Sequence, residues 1–454
     1  MVKLKNKSAS QSHNSKGKRK STSKKPSSPL FQGFIWGGCF TVTAAISGFI
    51  GMTVALKSPI SIDINPVLEK LQGFKNFGLS SLFAQQLKEP VNILVMGIDR
   101  VADSKQNPEI RFSGRSDTML LVRFEPQDHS LKILSIPRDS RVRLPNGSYD
   151  KINSANAIGG IPFTKEVIEG NLDGITIDKY IRVTTNAFKD LIDLMGGVEV
   201  YVPMDMRYTD QTQGLYIDLK EGKQTLNGNQ AEQFARFRHD NLGDIGRVQR
   251  QQILLKALRE KLQSPQAMFK IPQGLKLLQQ EVDSDLTQEE IFSLVAYSLS
   301  LDKQDIRMVM LPGRASYPTE YRLSYWLISE ENKSQIIEKF LTSESSLPEN
   351  NQSSQNIRIA IQNSTSNPEL AKKLALFLEE NQYQNVYISN NSPYPTSVTK
   401  IIVQKGDYES AKTLKNLLNF GELESSSTGD IDSEITIRVG DDAEKLLFDD
   451  SFVK

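Results

Sequence analysis

Four arginines, two aspartates and two glycines lie within residues 235–252, and this stretch carries the strongest chemical signal in the sequence. It reads Ala-Arg-Phe-Arg-His-Asp-Asn-Leu-Gly-Asp-Ile-Gly-Arg-Val-Gln-Arg-Gln-Gln. The guanidinium group of arginine is planar and donates paired hydrogen bonds to phosphate oxygens. Because arginine is used here and lysine is not, the stretch predicts a phosphate-binding site.

The helix that follows would place two of these side chains together. Apolar spacing predicts a helix over 245–263 with Asp244 as its N-cap, so Arg247 and Gln251 lie one turn apart on one face. A helix N-terminus attracts anions, and Gly243 and Gly246 would let phosphate oxygens approach the backbone. An ordinary helix with a solvated basic face is the competing interpretation. Arginines on both sides of a Gly-Asp-x-Gly turn favour binding over that alternative.

Arg236 and Arg238 precede this helix, and the sequence leaves their relative orientation open. They point to one side if the chain is extended and to different sides if it is helical.

Further charged residues stand at the ends of three apolar strands. Asp99 ends the first predicted strand, Arg115 and Asp117 precede the second at 119–124, and Arg138 follows the third at 131–136. The two aspartates are candidate ligands of Mg²⁺, a hard cation that takes oxygen ligands and shares them with substrate phosphates. The arginines would add phosphate contacts. The structural alternative is a set of turn aspartates and Arg/Asp pairs.

The N-terminal region predicts a membrane anchor. Residues 1–29 carry nine Lys/Arg and no acid, and should form a disordered cytoplasmic tail. Residues 30–56 contain no charge and are long enough to span a bilayer as one helix. The positive-inside rule places the tail in the cytoplasm and the C-terminal domains outside the plasma membrane. A cleaved signal peptide is the weaker alternative, and a tail without aromatic residues argues against nucleic-acid binding.

The remainder divides into two folded parts. Residues 57–89 form a juxtamembrane segment, 90–340 a domain of alternating strands and helices, 341–356 a polar linker, 357–440 a small α+β module and 441–454 a tail. The alternation predicts an α/β class, with a turn-rich segment at 204–228. Cys39, the only cysteine, lies in the predicted span, which excludes an intrachain disulfide.

Residues 90–313 resemble a LytR-CpsA-Psr domain. The motifs that carry the resemblance, in order, are Val-Asn-Ile-Leu-Val-Met-Gly-Ile-Asp, Gly-Arg-Ser-Asp-Thr, Ser-Ile-Pro-Arg-Asp, Lys-Ile-Asn-Ser-Ala-Asn-Ala-Ile-Gly-Gly, Ile-Asp-Lys-Tyr-Ile-Arg-Val, Met-Gly-Gly-Val-Glu-Val-Tyr-Val-Pro, Leu-Asn-Gly-Asn-Gln-Ala and the arginine-rich stretch. The module after the linker is similar to the family's C-terminal domain.

The resemblance implies a central mixed β-sheet flanked by helices and a Mg²⁺-dependent phosphotransferase. Such an enzyme moves a glycopolymer from a polyprenyl pyrophosphate lipid to a hydroxyl of peptidoglycan. It implies that Asp99 and Asp117 hold the metal and that Gln251 contacts the substrate head group. The arginines that it assigns to the pyrophosphate are Arg115, Arg138, Arg236, Arg238 and Arg247.

Two departures from the family pattern bear on acceptor or head-group choice. Residues 101–112 lengthen the loop between the two aspartates, and Thr184-Thr185 stands where an acidic residue is common. The general base is left open between Asp240 and Asp244. Two other functions fit the same residues: a hydrolase of polyprenyl pyrophosphate, and a non-catalytic regulatory protein that binds polyprenyl phosphate.

Overall fold

The structure is a computed structural model that describes residues 89–98, 108–211, 214–240, 243–268, 270, 273–274, 276–277, 281–341 and 356–444. The predicted tail, span and juxtamembrane segment lie outside the described residues, as do Asp99, most of the 101–112 insertion and nearly all of the linker. Within the described ranges, no helix has both the length and the apolar character required for a transmembrane span.

A six-stranded mixed sheet forms the centre of the larger domain, in the order β11-β6-β1-β2-β3-β12. Strands β1, β2 and β3 are antiparallel neighbours, whereas β6 runs parallel to β1 and β12 parallel to β3. The strands are β1 (Val91–Ile98), β2 (Ser116–Glu125), β3 (Ser130–Ser135), β6 (Lys179–Thr184), β11 (Val282–Ser284) and β12 (Ile306–Met310). The predicted mixed α/β sheet is therefore present.

Helices cover both faces of this sheet. One face packs its apolar side chains, such as Leu94 and Leu121, against α2 (Ala155–Asn171) and α8 (Glu330–Leu341). The opposite face packs Ile93 and Val122 against α7 (Gln288–Ser300). Alternate residues of β1 and β2 thus enter different cores, as the two-residue period of a strand requires. A short helix, α1 (Pro108–Arg111), precedes β2.

Glycines shape two of the helices. In α2 the backbone leaves the helical region at Gly159 and Gly160, and Gly160 has φ of 64°. Helix α3 (Thr185–Met195) is capped at its start by the Thr184 hydroxyl and ends at Gly196 with φ of 81°. Glycine tolerates this left-handed conformation at little cost.

The segment predicted as turn-rich at 204–228 contains three strands, so that prediction is wrong. They are β8 (Met206–Asp210), β9 (Leu215–Leu219) and β10 (Gly222–Leu226); β8 pairs with β9, and β10 pairs with β7 (Val198–Val202). These hairpins enclose a separate apolar cluster with α3, α4 (Gly228–Arg236) and α5 (Gly243–Leu262). That cluster fixes the two helices on which the arginine-rich stretch lies.

Two further hairpins lie beside the central sheet. They consist of β4 (Arg141–Arg143) with β5 (Tyr149–Lys151), and of β13 (Gly313–Ala315) with β14 (Trp326–Ile328). A bridge between Ser140 and Trp326 joins them. A short helix, α6 (Pro265–Met268), follows α5.

The C-terminal module has a five-stranded sheet of its own, in the order β16-β15-β19-β17-β18. Its elements are β15 (Ile359–Asn363), α9 (Glu369–Glu380), β16 (Val386–Ile388), β17 (Lys400–Val403), α10 (Tyr408–Leu418), β18 (Glu422–Ser425) and β19 (Ile435–Val439). These strands and helices agree with the α+β class predicted for residues 357–440. The module packs on α5, where Gln249 Nε2 donates to the carbonyl oxygens of Ser427 (2.7 Å) and Gly429 (3.0 Å).

Candidate functional site

The site begins at the edge of the central sheet where β1 ends, β2 starts and β3 ends. Ile98 pairs with Ser116, and Leu120 pairs with Ser135, so the three strand ends are neighbours. Asp117 is the second residue of β2, and its Oδ1 accepts a hydrogen bond from Nη1 of Arg138, which follows β3. The antiparallel order of the strands therefore brings together two residues that are 21 positions apart.

The arginine-rich stretch reaches the same carboxylate. Burial alone would raise the pKa of Asp117, but the positive charges of Arg138, Arg247 and Arg236 outweigh it and hold that pKa below its ordinary value. Asp117 is consequently ionised at neutral pH.

Arg238 joins the cluster from the segment between α4 and α5. Burial lowers its pKa, and the nearby charge of Arg138 lowers it further, whereas Asp244 and Asp117 act in the opposite direction. Burial also acts on Arg138, but Asp117 and Asp139 outweigh it and raise the pKa of that guanidinium. The positive charges of Arg138 and Arg238 are therefore close enough to repel one another, and the negative charge of Asp117 acts on both.

The geometry of residues 236–238 resolves the orientation that the sequence left open. Arg236 is the last residue of α4, where its Nη1 contacts Glu232 Oε1 at 3.1 Å. Phe237 is extended, with φ of −60° and ψ of 137°, and Arg238 follows outside the helix. The two arginines thus reach the cluster from a helix end and from the segment after it.

Helix α5 begins at Gly243, two residues before the predicted start, so the prediction of Asp244 as the N-cap is wrong. Asp240 supplies the capping contact, because its Oδ1 accepts a hydrogen bond from the Gly243 amide at 2.8 Å. Asp244 lies in the first turn and pairs with Nη2 of Arg247 at 2.9 Å. Gly243 has φ of 53°, which explains why glycine suits that position.

Glycine is needed at position 246 for a reason other than the predicted approach of phosphate oxygens to the backbone. A Cβ there would lie 2.7 Å from Asp240 Oδ2 and 3.1 Å from Arg250 Nη1. Arg250 is buried, donates to Asp240 and also donates through Nη2 to the Phe237 carbonyl oxygen. The glycine therefore leaves room for the ion pair that ties α5 to the preceding segment.

Arg247 is the most deeply buried cation of the cluster, with 2% of its surface exposed. Burial lowers its pKa to about 10, the nearby Asp244 opposes that effect, and the side chain keeps its charge at neutral pH. Among the described residues, its Nε and Nη1 donors are buried and have no hydrogen-bond partner. A buried cation with unused donors favours an anionic ligand, because unpaired polar groups are costly in a site of low dielectric.

Three of the predicted site residues are not placed in this cluster by any described contact. Arg115 directly precedes β2 and its side chain is exposed. Gln251 lies one turn after Arg247 on α5 and is half-buried. Asp99 lies outside the described residues. Their roles remain predictions.

Several charged residues around the arginines were not predicted as part of the site. Asp139 accepts a contact from Lys151 Nζ at 3.0 Å and lies 3.7 Å from Arg138 Nε. Glu232 contacts both Arg236 and Lys189. Asp139 lies in a recognised motif and Glu232 does not, and ion pairs between distant segments leave no spacing signal that a single sequence can show.

The chemistry of Asp117 fits a magnesium site that substrate completes. Within the part of the chain that the structure describes, no group of three histidine, cysteine or acidic side chains could hold a metal ion alone. Mg²⁺ usually binds through one or two carboxylates together with water and substrate phosphates. An ionised aspartate among candidate phosphate-binding arginines fits that requirement.

Sheet, arginines and carboxylate together form an α/β domain with a candidate anion-binding centre, and comparisons with known proteins give its family. Residues 64–341 match the model of the LytR-CpsA-Psr family, so the chain belongs to that family. Residues 356–442 match the model described as the LytR cell envelope-related transcriptional attenuator.

Curated relatives include the polyisoprenyl-teichoic acid–peptidoglycan teichoic acid transferase TagV of Bacillus subtilis. It is 35% identical over 235 residues, which cover 51% of this chain and 58% of TagV. The TagU transferase of Bacillus cereus (strain ATCC 14579) is 28% identical over 305 residues, covering 65% of this chain and 94% of TagU. The match thus spans little more than half the length of TagV and almost all of TagU.

A crystal structure from Streptococcus agalactiae shows the same fold. It has a TM-score of 0.50 and 24% sequence identity, and the match covers 57% of this chain and 88% of that chain.

Proposed function

We propose that this protein is a membrane-anchored phosphotransferase that acts outside the cytoplasm and attaches a glycopolymer to peptidoglycan. The donor would be the polymer on a polyprenyl pyrophosphate lipid, and the product a phosphodiester. One observation carries the proposal: Arg138 pairs with Asp117, the charges of Arg236, Arg238 and Arg247 act on the same carboxylate, and buried Arg247 has two donors without a partner among the described residues. A pyrophosphate has the charge and the acceptor oxygens that this arrangement lacks.

The reaction requires little from the protein beyond positioning and charge stabilisation. The acceptor hydroxyl oxygen forms a bond to the phosphorus next to the polymer, the bond from that phosphorus to the bridging oxygen breaks, and polyprenyl phosphate leaves. The arginines stabilise the charge that develops on the phosphate oxygens. Bound Mg²⁺, held by Asp117 and by Asp99 as predicted, would supply further charge neutralisation.

The proton of the acceptor hydroxyl needs a base, and the contacts separate the two candidates. Asp240 is occupied on both oxygens, since Oδ1 caps Gly243 and Oδ2 pairs with Arg250. Asp244 pairs with Arg247 from the first turn of α5 and is partly exposed. We therefore favour Asp244 over Asp240.

The names of TagV and TagU support transfer to peptidoglycan, since both are called polyisoprenyl-teichoic acid–peptidoglycan teichoic acid transferases. The predicted span at 30–56 would hold the domain beside the membrane in which a polyprenyl lipid resides.

The test measures transfer by the full-length chain from a polyprenyl-pyrophosphate-linked saccharide to peptidoglycan in the presence of Mg²⁺. We expect Arg238→Ala and Asp117→Ala each to lower the rate by about 100-fold or more, because each removes charge stabilisation of the transition state. Arg207→Ala is the matched control, since that arginine lies on β8 with a side chain that is 65% exposed. Full activity in both site variants would refute the proposal.

A second arm separates transfer from hydrolysis. The wild-type chain is incubated with donor alone and with donor plus peptidoglycan. Polyprenyl phosphate should appear rapidly only with the acceptor, and release at equal rates in both arms would assign a hydrolase. Donor binding without turnover in either arm would favour a regulatory protein.

A further inference from the structure

Three tyrosines lie around Arg141 beside the candidate anion-binding centre, a fourth lies in the same loop as two of them, and none has a part in the function described so far. Tyr149 comes from β5, and Tyr317, Tyr321 and Tyr325 come from the segment between β13 and β14. Tyr149 is 52% exposed and Tyr317 is 62% exposed. We refer to these four residues as the tyrosine surface. Exposed aromatic groups of this kind mark binding sites more often than isolated apolar side chains do.

Arginine side chains hold the tyrosine surface in place. The guanidinium carbon of Arg141 lies 3.8 Å from the ring centre of Tyr149 and 4.9 Å from that of Tyr321. Tyr321 and Tyr325 contact each other edge to face, with ring centres 5.3 Å apart. Arg314 lies 5.0 Å from the Tyr317 ring and pairs with Glu320. Rings fixed in this way lose little conformational entropy when a ligand binds.

A short series of contacts connects the tyrosine surface to the phosphate-binding arginines. Lys151 Nζ lies 5.8 Å from the ring centre of Tyr325 and 3.0 Å from Asp139 Oδ1. The same aspartate oxygen lies 3.7 Å from Arg138 Nε. The amide of Trp326, the residue after Tyr325, donates to the Asp139 carbonyl oxygen at 2.9 Å. A ligand on the tyrosine surface would therefore lie next to the anion-binding centre.

From this geometry we propose that the tyrosine surface binds the glycan strand of the acceptor. A pyranose ring has a flat face of C–H groups that packs against an aromatic ring, and its hydroxyl and amide groups hydrogen-bond to tyrosine and arginine. The donor is held by its pyrophosphate, whereas the acceptor hydroxyl has no charge for the arginines to bind. The acceptor thus needs other contacts to reach the phosphorus. This inference rests on the proposed transferase function and names its acceptor subsite.

The experiment measures binding of soluble glycan strands, freed of stem peptides, to the full-length chain by isothermal titration calorimetry. We expect Tyr149→Ala and Tyr317→Ala each to weaken binding by about three- to tenfold, the loss of one aromatic stacking contact. Tyr216→Ala is the matched control, because Tyr216 lies on β9 and is 64% exposed. Its affinity should equal that of the wild type. Tyr149→Trp retains an aromatic face and should restore most of the binding.

Three results would overturn the inference. They are no binding of glycan strands by the wild-type chain, equal binding by the tyrosine variants, and a loss in Tyr216→Ala as large as in the others. Binding of lipid-free donor polymer in place of glycan strands would also overturn it, by assigning the surface to the donor.

Affinity for polyprenyl pyrophosphate, measured separately on the wild-type chain, tests the proposed function independently. A chain that binds glycan but no pyrophosphate leaves the tyrosine surface as a glycan site while the transferase proposal fails. A chain that binds pyrophosphate but no glycan would contradict only the acceptor subsite and would leave the transferase proposal standing.

Discussion

Arg247 combines almost complete burial with donors that have no partner among the described residues, so its position favours ligand binding over stability. We predict that Arg247→Met lowers transfer by about 100-fold or more, because the missing donors no longer reach the phosphate oxygens. The same variant should unfold at an equal or higher temperature than the wild type, since a buried cation is replaced by an apolar side chain of similar length and water can solvate Asp244, whose side chain is 26% exposed. Scanning calorimetry and the transfer assay measure the two effects.

Arg250→Met is the matched comparison, since Arg250 is equally buried on the same helix but donates to Asp240 and to the Phe237 carbonyl oxygen. It should lower the unfolding temperature, because both acceptors lose their partner. Equal destabilisation by the two substitutions would contradict this interpretation of Arg247.

The contribution of Asp117 to the stability of the folded chain should depend on pH. Its pKa in the folded chain lies below the ordinary value of 3.8, because nearby arginines outweigh burial. A lowered folded pKa contributes stability above the unfolded pKa, and that contribution is lost as pH falls through the folded value. Asp117→Asn should therefore be less stable than the wild type at neutral pH.

The stability difference between Asp117→Asn and the wild type should shrink as the pH falls below 3.8. Thermal unfolding at neutral pH and at about pH 2 checks it. A difference that stays constant or widens in acid would show that Asp117 gains nothing from the arginines.

A cluster of arginines could be predicted from residue type, because phosphate recognition depends on guanidinium geometry, and its binding of phosphate stays a prediction. The partner of each arginine could not be predicted. Asp240 and Asp244 looked equivalent in the sequence. Because α5 starts earlier than predicted, Asp240 caps the helix and Asp244 pairs with Arg247.

Gly246 determines whether helix α5 can pack beside the segment that bears Arg238. Gly246→Ala should lower the free energy of unfolding by about 1–3 kcal/mol, the range for overpacking, because its Cβ would meet the Asp240–Arg250 pair. Gly170→Ala in α2 is the control, as no heavy atom lies within 4 Å of its added Cβ. It should stabilise the chain by about 0.5–1 kcal/mol. Denaturant unfolding measures both, and a neutral Gly246→Ala would contradict the steric explanation.

The contact between α5 and the C-terminal module is polar and buried. Gln249 donates to two carbonyl oxygens of the module, and Gln252 accepts from the Ser427 amide at 2.8 Å and donates to Ser135 Oγ at 3.1 Å. The double variant Gln249→Ala/Gln252→Ala should lose about 2–4 kcal/mol of stability, at about 1 kcal/mol per hydrogen bond. Gln266→Ala, at an exposed position of α6, should change nothing. Equal unfolding curves for the double variant and the control would show that the docking contributes no stability.

Elements with a strong apolar period were predictable, and those that depend on pairing were not. Strands β1 and β3 and helix α10 follow from runs of buried residues. Strands β8 and β18 contain few apolar residues, and their hydrogen-bonded neighbours hold them extended. Local sequence does not encode such neighbours.

For the molecule as a whole, composition and a polar linker predict two folded parts and no contact between them can be read from the sequence. The structure shows contacts instead, including Lys256 Nζ to Glu424 Oε2 at 2.6 Å and Ile431 in the apolar cluster of Val248 and Trp326. Contacts made by glutamines and single charged residues leave no hydrophobic pattern. The packing of the module on α5 was therefore not predictable from the sequence.

The orientation of the chain in the membrane can be tested because the sequence has a single cysteine. Cys39→Ser removes the only thiol, so one new cysteine can then report one position. Ser366→Cys lies at an exposed site of the C-terminal module, and Ser10→Cys lies in the basic tail. If nine cations hold the tail in the cytoplasm, a membrane-impermeant maleimide added to intact cells should label the first variant and not the second. Labelling of both after the cells are lysed is the control. Labelling of the tail in intact cells, or protection of the module, would reverse the proposed orientation and place the site away from peptidoglycan.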